Sequence, residues 1–161
     1  MTPLHIPQSV YDAVMAQLSG VFLGFEQFDF YAPMPETHLF RYDHVFLSPH
    51  FRLSEVVHSV TASLRSIDNS ISPSFILNAA VLADSVLEPL RAQLKRPLVP
   101  SSWYRCPELN AAVGGVPTSF HLSARAADIP MNSSEIAIAS GWCRSHLVKC
   151  IKYKTFLHVQ V

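Results

Sequence analysis

Apolar residues along the chain recur at helical spacing in several places and alternate with polar ones in others. Val10, Val14, Met15 and Leu18 fall on one face, with Ser9 as N-cap and Gly20 as stop, and predict a short amphipathic helix. Residues 21–46 are rich in phenylalanine and interrupted by Pro33 and Pro35, which predicts a pair of strands or an extended wrap with a turn. This stretch reads either as packing or as an aromatic interaction surface. Beyond a boundary at Ser48-Pro49, Ser54 is the expected cap of a helix with Val56, Val57, Val60 and Leu64 on one face. A polar, turn-rich segment from Ser66 to Pro73 leads into a second helix over 75–94, kinked or interrupted by Pro89.

The second half continues the pattern. Leu98-Val99 and Ser101 to Trp103 predict a short strand, and residues 108–113 a helical turn ended by Gly114-Gly115. Residues 135–148 predict a helix that packs through Ile136, Ile138, Trp142 and Leu147. The stretch 156–161 alternates and predicts a strand, with Phe156, His158 and Gln160 on one face and Leu157, Val159 and Val161 on the other.

Composition narrows the partners. The 161 residues suffice for one domain with a real core. Lys+Arg 12 against Asp+Glu 12 gives zero formal charge, so no basic field is present to hold a nucleic acid. Hydrophobic residues make up 49% and charged ones 15%, a composition of globules rather than of disordered chains. No apolar run approaches the roughly 20 residues of a membrane span. The first basic residue other than histidine is Arg41, so no export signal is expected. Cys106, Cys143 and Cys150 read as free thiols in preference to a Cys143–Cys150 bridge or a soft metal site.

Eight histidines against five glycines direct attention to spacing. His121 and Asp128 lie seven residues apart among small side chains, and His158 sits in the terminal strand. Two imidazoles and a carboxylate suit zinc and leave a fourth tetrahedral position for water, the pattern of a catalytic site. A continuous helix would separate the first two Cα atoms by about 10 Å along its axis, too far for shared bonds of about 2.0–2.2 Å. A turn is therefore expected at Ser123-Ala124, after which Asp128 enters a strand beside that of His158. A histidine in an apolar strand also fits an ordinary, hydrogen-bonded core imidazole.

The run Ser119-x-His121-x-x-Ala124-x-Ala126-x-Asp128 resembles the Ser-x-His-x-x-Gly-x-Ala-x-Asp signature of the zinc D-alanyl-D-alanine carboxypeptidase family, which includes vancomycin-resistance dipeptidases and phage endolysin peptidases. Phe51-x-Leu53-Ser54-Glu55, the Ile67-Asp68-Asn69 turn, Leu87-Glu88-Pro89-Leu90-Arg91, Ser102-x-Tyr104-Arg105-x-Pro107-Glu108-Leu109-Asn110, Val113-Gly114-Gly115 and Phe156-Leu157-His158-Val159 follow the order of its short, single-domain branch. The resemblance implies an α+β fold of the hedgehog and D,D-peptidase kind, in which an antiparallel sheet carries the zinc and helices pack on one side. It implies His121, Asp128 and His158 as zinc ligands, Arg105 as the group facing the substrate carbonyl, and Ser119 as a substrate-binding residue. It further implies a peptidase domain over 49–161 acting on peptidoglycan stem peptides; it does not cover residues 1–48, which are expected to form an N-terminal extension packed on that domain. Synthesis in the bacterial cytoplasm, from a host or a phage gene, and action on the cell wall or in the periplasm complete the expectation.

Three positions depart from that family's pattern. Ala124 stands where glycine is usual, so the turn is expected at negative φ or under strain. Thr155 occupies the place of an acidic general base three residues before the last ligand, and threonine takes up no proton at neutral pH. Gln160 stands where relatives often carry Asp, and a carboxamide hydrogen-bonds without acting as base. Glu55, Glu108 and Glu135 remain as candidate bases, with Tyr104 and Tyr153 as candidate hydroxyl donors or packing residues. Arg105 alternatively pairs with Glu108, and Ser119 alternatively closes a turn. A zinc-bearing module that binds wall peptide or a protein partner without useful turnover is the other reading of these departures.

Overall fold

A computed structural model describes residues 45–161 together with positions 12 and 16. The expected helix over 10–18 and the aromatic strands before Phe46 fall outside the described residues, apart from those two positions, which are helical. Most of the expected extension over 1–48 lies outside them as well.

The described chain begins with two short antiparallel strands, β1 (Phe46–Ser48) and β2 (Phe51–Arg52), and two short helices, α1 (Leu53–Val57) and α2 (Val60–Arg65). The single helix capped by Ser54 is therefore not formed. Glu55 Oε2 accepts from Arg52 N at 2.8 Å at the start of α1, and Ser59 accepts from Ala62 N to open α2. Because the chain is extended at His58 and Ser59, the shared face is lost, and Val60 and Leu64 are exposed.

Helix α3 (Pro73–Leu82) runs through a wide π-helical turn (Ala83–Leu87) into α4 (Glu88–Leu94). In the wide turn Glu88 N donates to Ala83 O, five residues back. Pro89 has no N–H to donate, and it enters at the first turn of α4, where that loss is harmless. The expected interruption is a change of helical pitch. Ile76, Leu82, Val86, Leu87 and Leu90 along this rod are fully buried with Phe51 and Trp103.

Three antiparallel strands form the second sheet in the order β3-β5-β4: β3 (Ala126–Pro130), β5 (Phe156–Gln160) and β4 (Lys149–Lys152). The fold is thus mixed helix and sheet, with small antiparallel sheets. Alternation in β5 sends Leu157 and Val159 into the core, where α6 (Ser133–Ser145) packs against β4 and β5. Asn132 caps α6 in a box with Glu135. Ile136 is buried as expected, whereas Ile138 and Leu147 are exposed, Leu147 because the helix has ended and its φ is +58°. β4 itself was not foreseen: Cys150 is half-buried and its neighbours are exposed, so the segment shows no buried alternation to read. The expected strand around 98–103 reduces to one bridge between Ser102 and Asp128. All three cysteines are free. Among the described residues no helix is long and apolar enough to cross a membrane.

One carboxylate ties the two strands at the start to the helical rod. Glu88 Oε1 accepts from Ser48 Oγ and His50 N, both at 2.8 Å, and Oε2 meets His50 Nδ1 at 2.8 Å. Burial raises the Glu88 pKa, but these hydrogen bonds outweigh it and leave the group below its ordinary value of 4.5. A carboxylate held low stabilises the fold above its unfolded pKa and ceases to do so as pH falls through the folded one. Glu88→Gln is therefore expected to lower stability by about 1–2 kcal/mol near pH 7. The difference from wild type should vanish in urea titrations carried out progressively below the ordinary carboxylate range.

Candidate metal centre

Four backbone features bring the predicted residues to one place. Helix α5 (Pro107–Ala112) is followed by Gly114 at φ +73° and by Gly115, where an added Cβ would stand 2.1 Å from Asn110 Oδ1. Glycine is needed at both positions, at the first for its positive φ and at the second for the close approach. The chain then enters a 3₁₀ turn (Phe120–Ser123) that carries His121, with Ser119 as its cap accepting from His121 N at 3.4 Å.

Ala124 ends that turn at φ +56°, so the expected turn is present and lies in the left-handed region. A fully buried alanine bears there the strain that glycine would avoid. From Ala124 the chain passes into β3, which pairs with β5 so that Asp128 lies directly opposite His158. Directly opposed residues project to the same face of a sheet, and their side chains meet.

The three side chains converge closely. His158 Nδ1 lies 2.7 Å from Asp128 Oδ1, and His121 Nε2 lies 3.3 Å from Asp128 Oδ2. One donor atom from each falls within 4.8 Å of the others, and among the described residues no other group of His, Cys, Asp and Glu gathers in this way. Tetrahedral bonds of about 2.1 Å place donor atoms about 3.4 Å apart, so the set suits a cation such as zinc with little movement. His121 Nδ1 faces Trp103 O at 2.5 Å; as the donor there, it leaves the Nε2 lone pair directed at the cluster.

Arg105 is the fourth member. Its Nη2 donates to Asp128 Oδ2 at 2.6 Å and its Nε to Ser102 Oγ at 2.8 Å, so its ion partner is Asp128 and not Glu108. Burial raises the Asp128 pKa, but the polar surroundings made by His121, His158 and the Arg105 guanidinium outweigh it and hold the carboxyl well below the usual carboxylate range. The carboxylate is thereby kept ionised.

The segment that presents Arg105 is itself clamped. Asn69 Oδ1 accepts from Cys106 N at 2.8 Å, and its Nδ2 donates to Val57 O and Tyr104 O. Arg105 N donates to His121 O, Asp128 N to Ser102 O, and Trp103 Nε1 to Ala124 O. Trp103 and Asn69 are the supporting residues that sequence reasoning missed. Asn69 stands in the Ile67-Asp68-Asn69 turn, to which sequence reasoning gave no task; Trp103 meets His121 through its carbonyl, which residue type does not encode.

The candidate bases fare unequally. Glu55 and Glu135 each accept from the backbone N–H three residues before them, at Arg52 and Asn132, and Glu135 also pairs with Arg96 at 2.5 Å. Glu108 is exposed in the first turn of α5. Thr155 is exposed in the turn before β5. Tyr104 is buried against Phe75, and burial pushes its phenol up to about 12, while Tyr153 stacks on Phe156 at 4.2 Å between ring centres. Both rings therefore have packing roles.

A family model described as Peptidase M15 matches residues 49–160. No curated protein and no solved structure matches the chain.

The left-handed turn at Ala124 is open to a direct test. Ala124→Gly relieves about 1 kcal/mol of backbone strain but gives up a buried methyl of about 0.8 kcal/mol, so its urea midpoint should stay close to wild type. Ala124→Val, β-branched at positive φ, is expected to lose about 2 kcal/mol or more.

Proposed function

The chain belongs to the peptidase M15 family of metallopeptidases, and from that premise we propose that it is a zinc-dependent peptidase of peptidoglycan stem peptides, acting as a D,D-carboxypeptidase or as an endopeptidase of the endolysin kind. The observation that carries this reading is the meeting of His121, Asp128 and His158 within 4.8 Å on one sheet face. These three residues are the proposed ligands.

Zinc held there supplies a Lewis acid for the scissile carbonyl and brings the pKa of water to about 7. The protein's own groups have separate tasks. Asp128 offers a carboxylate that stays ionised and at the same time anchors Arg105. Arg105 spends Nε and Nη2 on Ser102 and Asp128, and its other N–H groups are the proposed donors to the oxygen that gains charge when the carbonyl becomes tetrahedral. Ser119 caps the turn that carries His121, and its proposed contact with substrate is made from that position. The cell wall is the proposed place of action, reached after synthesis in the bacterial cytoplasm.

A second reading rests on Thr155: a zinc-bearing module that binds wall peptide with little turnover. Exposed threonine stands where a proton acceptor would serve, and two of the three candidate glutamates are engaged in capping.

The peptidase reading predicts close to one zinc per chain by elemental analysis, reduced severely in His121→Ala and His158→Ala. Zinc-loaded protein should cleave muropeptides, detected by mass spectrometry, and intact muropeptides at full zinc occupancy would sink it. Arg105→Ala is expected to lower kcat by about 10²–10³-fold with a much smaller change in KM. Thr155→Glu separates the two readings: activity appearing only in the variant identifies the natural chain as a binder, whereas an active wild type excludes that.

A further inference from the structure

Gln160 follows His158 by two residues on the central strand β5, so the two side chains share a face. It is buried, and its Oε1 lies 3.2 Å from His158 Nε2. A carboxamide oxygen only accepts hydrogen bonds, so the ring nitrogen facing it must carry the proton. A neutral imidazole with its proton on Nε2 has its lone pair on Nδ1, the nitrogen 2.7 Å from Asp128 Oδ1.

The same logic applied to His121 runs in the opposite sense. There the Trp103 carbonyl claims Nδ1 and turns the Nε2 lone pair toward the carboxylate. The two rings are thus locked in opposite tautomers by two neutral acceptors, one from the backbone and one from a side chain. Both lone pairs converge on Asp128, an arrangement of three electron donors that a cation satisfies.

We propose that Gln160 is a positioning residue for the metal, selecting the tautomer of His158 that presents Nδ1 as ligand. This inference rests on the ligand assignment proposed above. Being uncharged, the carboxamide does so without placing a second carboxylate beside Asp128.

Zinc affinity of the whole chain, measured by competition with a chromogenic chelator, tests it in wild type, Gln160→Met and Gln160→Glu. Methionine fills similar space without a comparable acceptor, and glutamate restores the acceptor. Gln160→Met is expected to bind zinc at least about 10-fold more weakly with its urea midpoint little changed, and Gln160→Glu to stay within about threefold of wild type. Nitrogen-15 NMR of the zinc-loaded wild type should show His158 protonated on Nε2. Undiminished affinity in Gln160→Met, loss of affinity in Gln160→Glu equal to that in Gln160→Met, or a His158 proton on Nδ1 would each overturn the inference while leaving the ligand assignment intact. A wild type that takes up no zinc overturns both. Should Gln160→Met not fold, the NMR result and Gln160→Glu decide the matter.

Discussion

Asp128 is the point through which the rest of the site is organised. It is a largely buried carboxylate whose two oxygens meet His158 on one side and His121 and Arg105 on the other. Burying an ionised group without partners is prohibitively unfavourable, so these neighbours are a condition of the fold as well as of the chemistry. Its backbone is held with equal care: N–H and C=O bond to Ser102 and Ser101, and the other edge of β3 pairs with β5. The residue therefore has neither a free oxygen nor a free backbone edge with which to drift.

Around this carboxylate the support comes in concentric layers of different chemistry. One backbone carbonyl and one carboxamide stand against the two imidazoles, Asn69 clamps the strand-like segment that carries Arg105, and Trp103 joins that segment to the end of the 3₁₀ turn. Fully buried Trp103 packs edge-on against Phe51 at 6.0 Å, which links the site's underside to the first strand pair. Apolar burial supplies the rigidity, and polar groups spend that rigidity on orientation.

How far the sequence disclosed this depends on what each feature is made of. The terminal strand, the turn after Ser123 and the neighbouring strand of Asp128 were legible because alternation and ligand geometry constrain them strongly. The positive φ at Ala124 was legible only as one of two outcomes, negative φ or strain, since alanine itself does not choose between them. Val60 and Leu64 misled because helical spacing records a pattern but not the break at His58 and Ser59 that turns it outward. β4 escaped because its exposed residues carry no rhythm. The Asp128 partner of Arg105 was hidden for another reason: Glu108, the alternative partner, is near in sequence, whereas Asp128, 23 positions away, is near only after β3 forms. Contacts made by backbone atoms and by distant strands are properties of the assembled chain, and residue identity alone does not announce them.

The direct opposition of Asp128 and His158 across the ladder bears on how such a chain can change length over evolutionary time. Two residues 30 positions apart act as one unit because side chains in paired strands face each other only in a single phase. The exposed turn between β4 and β5 lies outside that phase and can absorb insertions or deletions. A single residue gained or lost within β3 or β5 would rotate one partner to the opposite side of the sheet. Indels are thus expected to be tolerated in the turn and purged from the two strands, and ladder phase becomes a heritable constraint as strict as the identity of the two facing residues themselves.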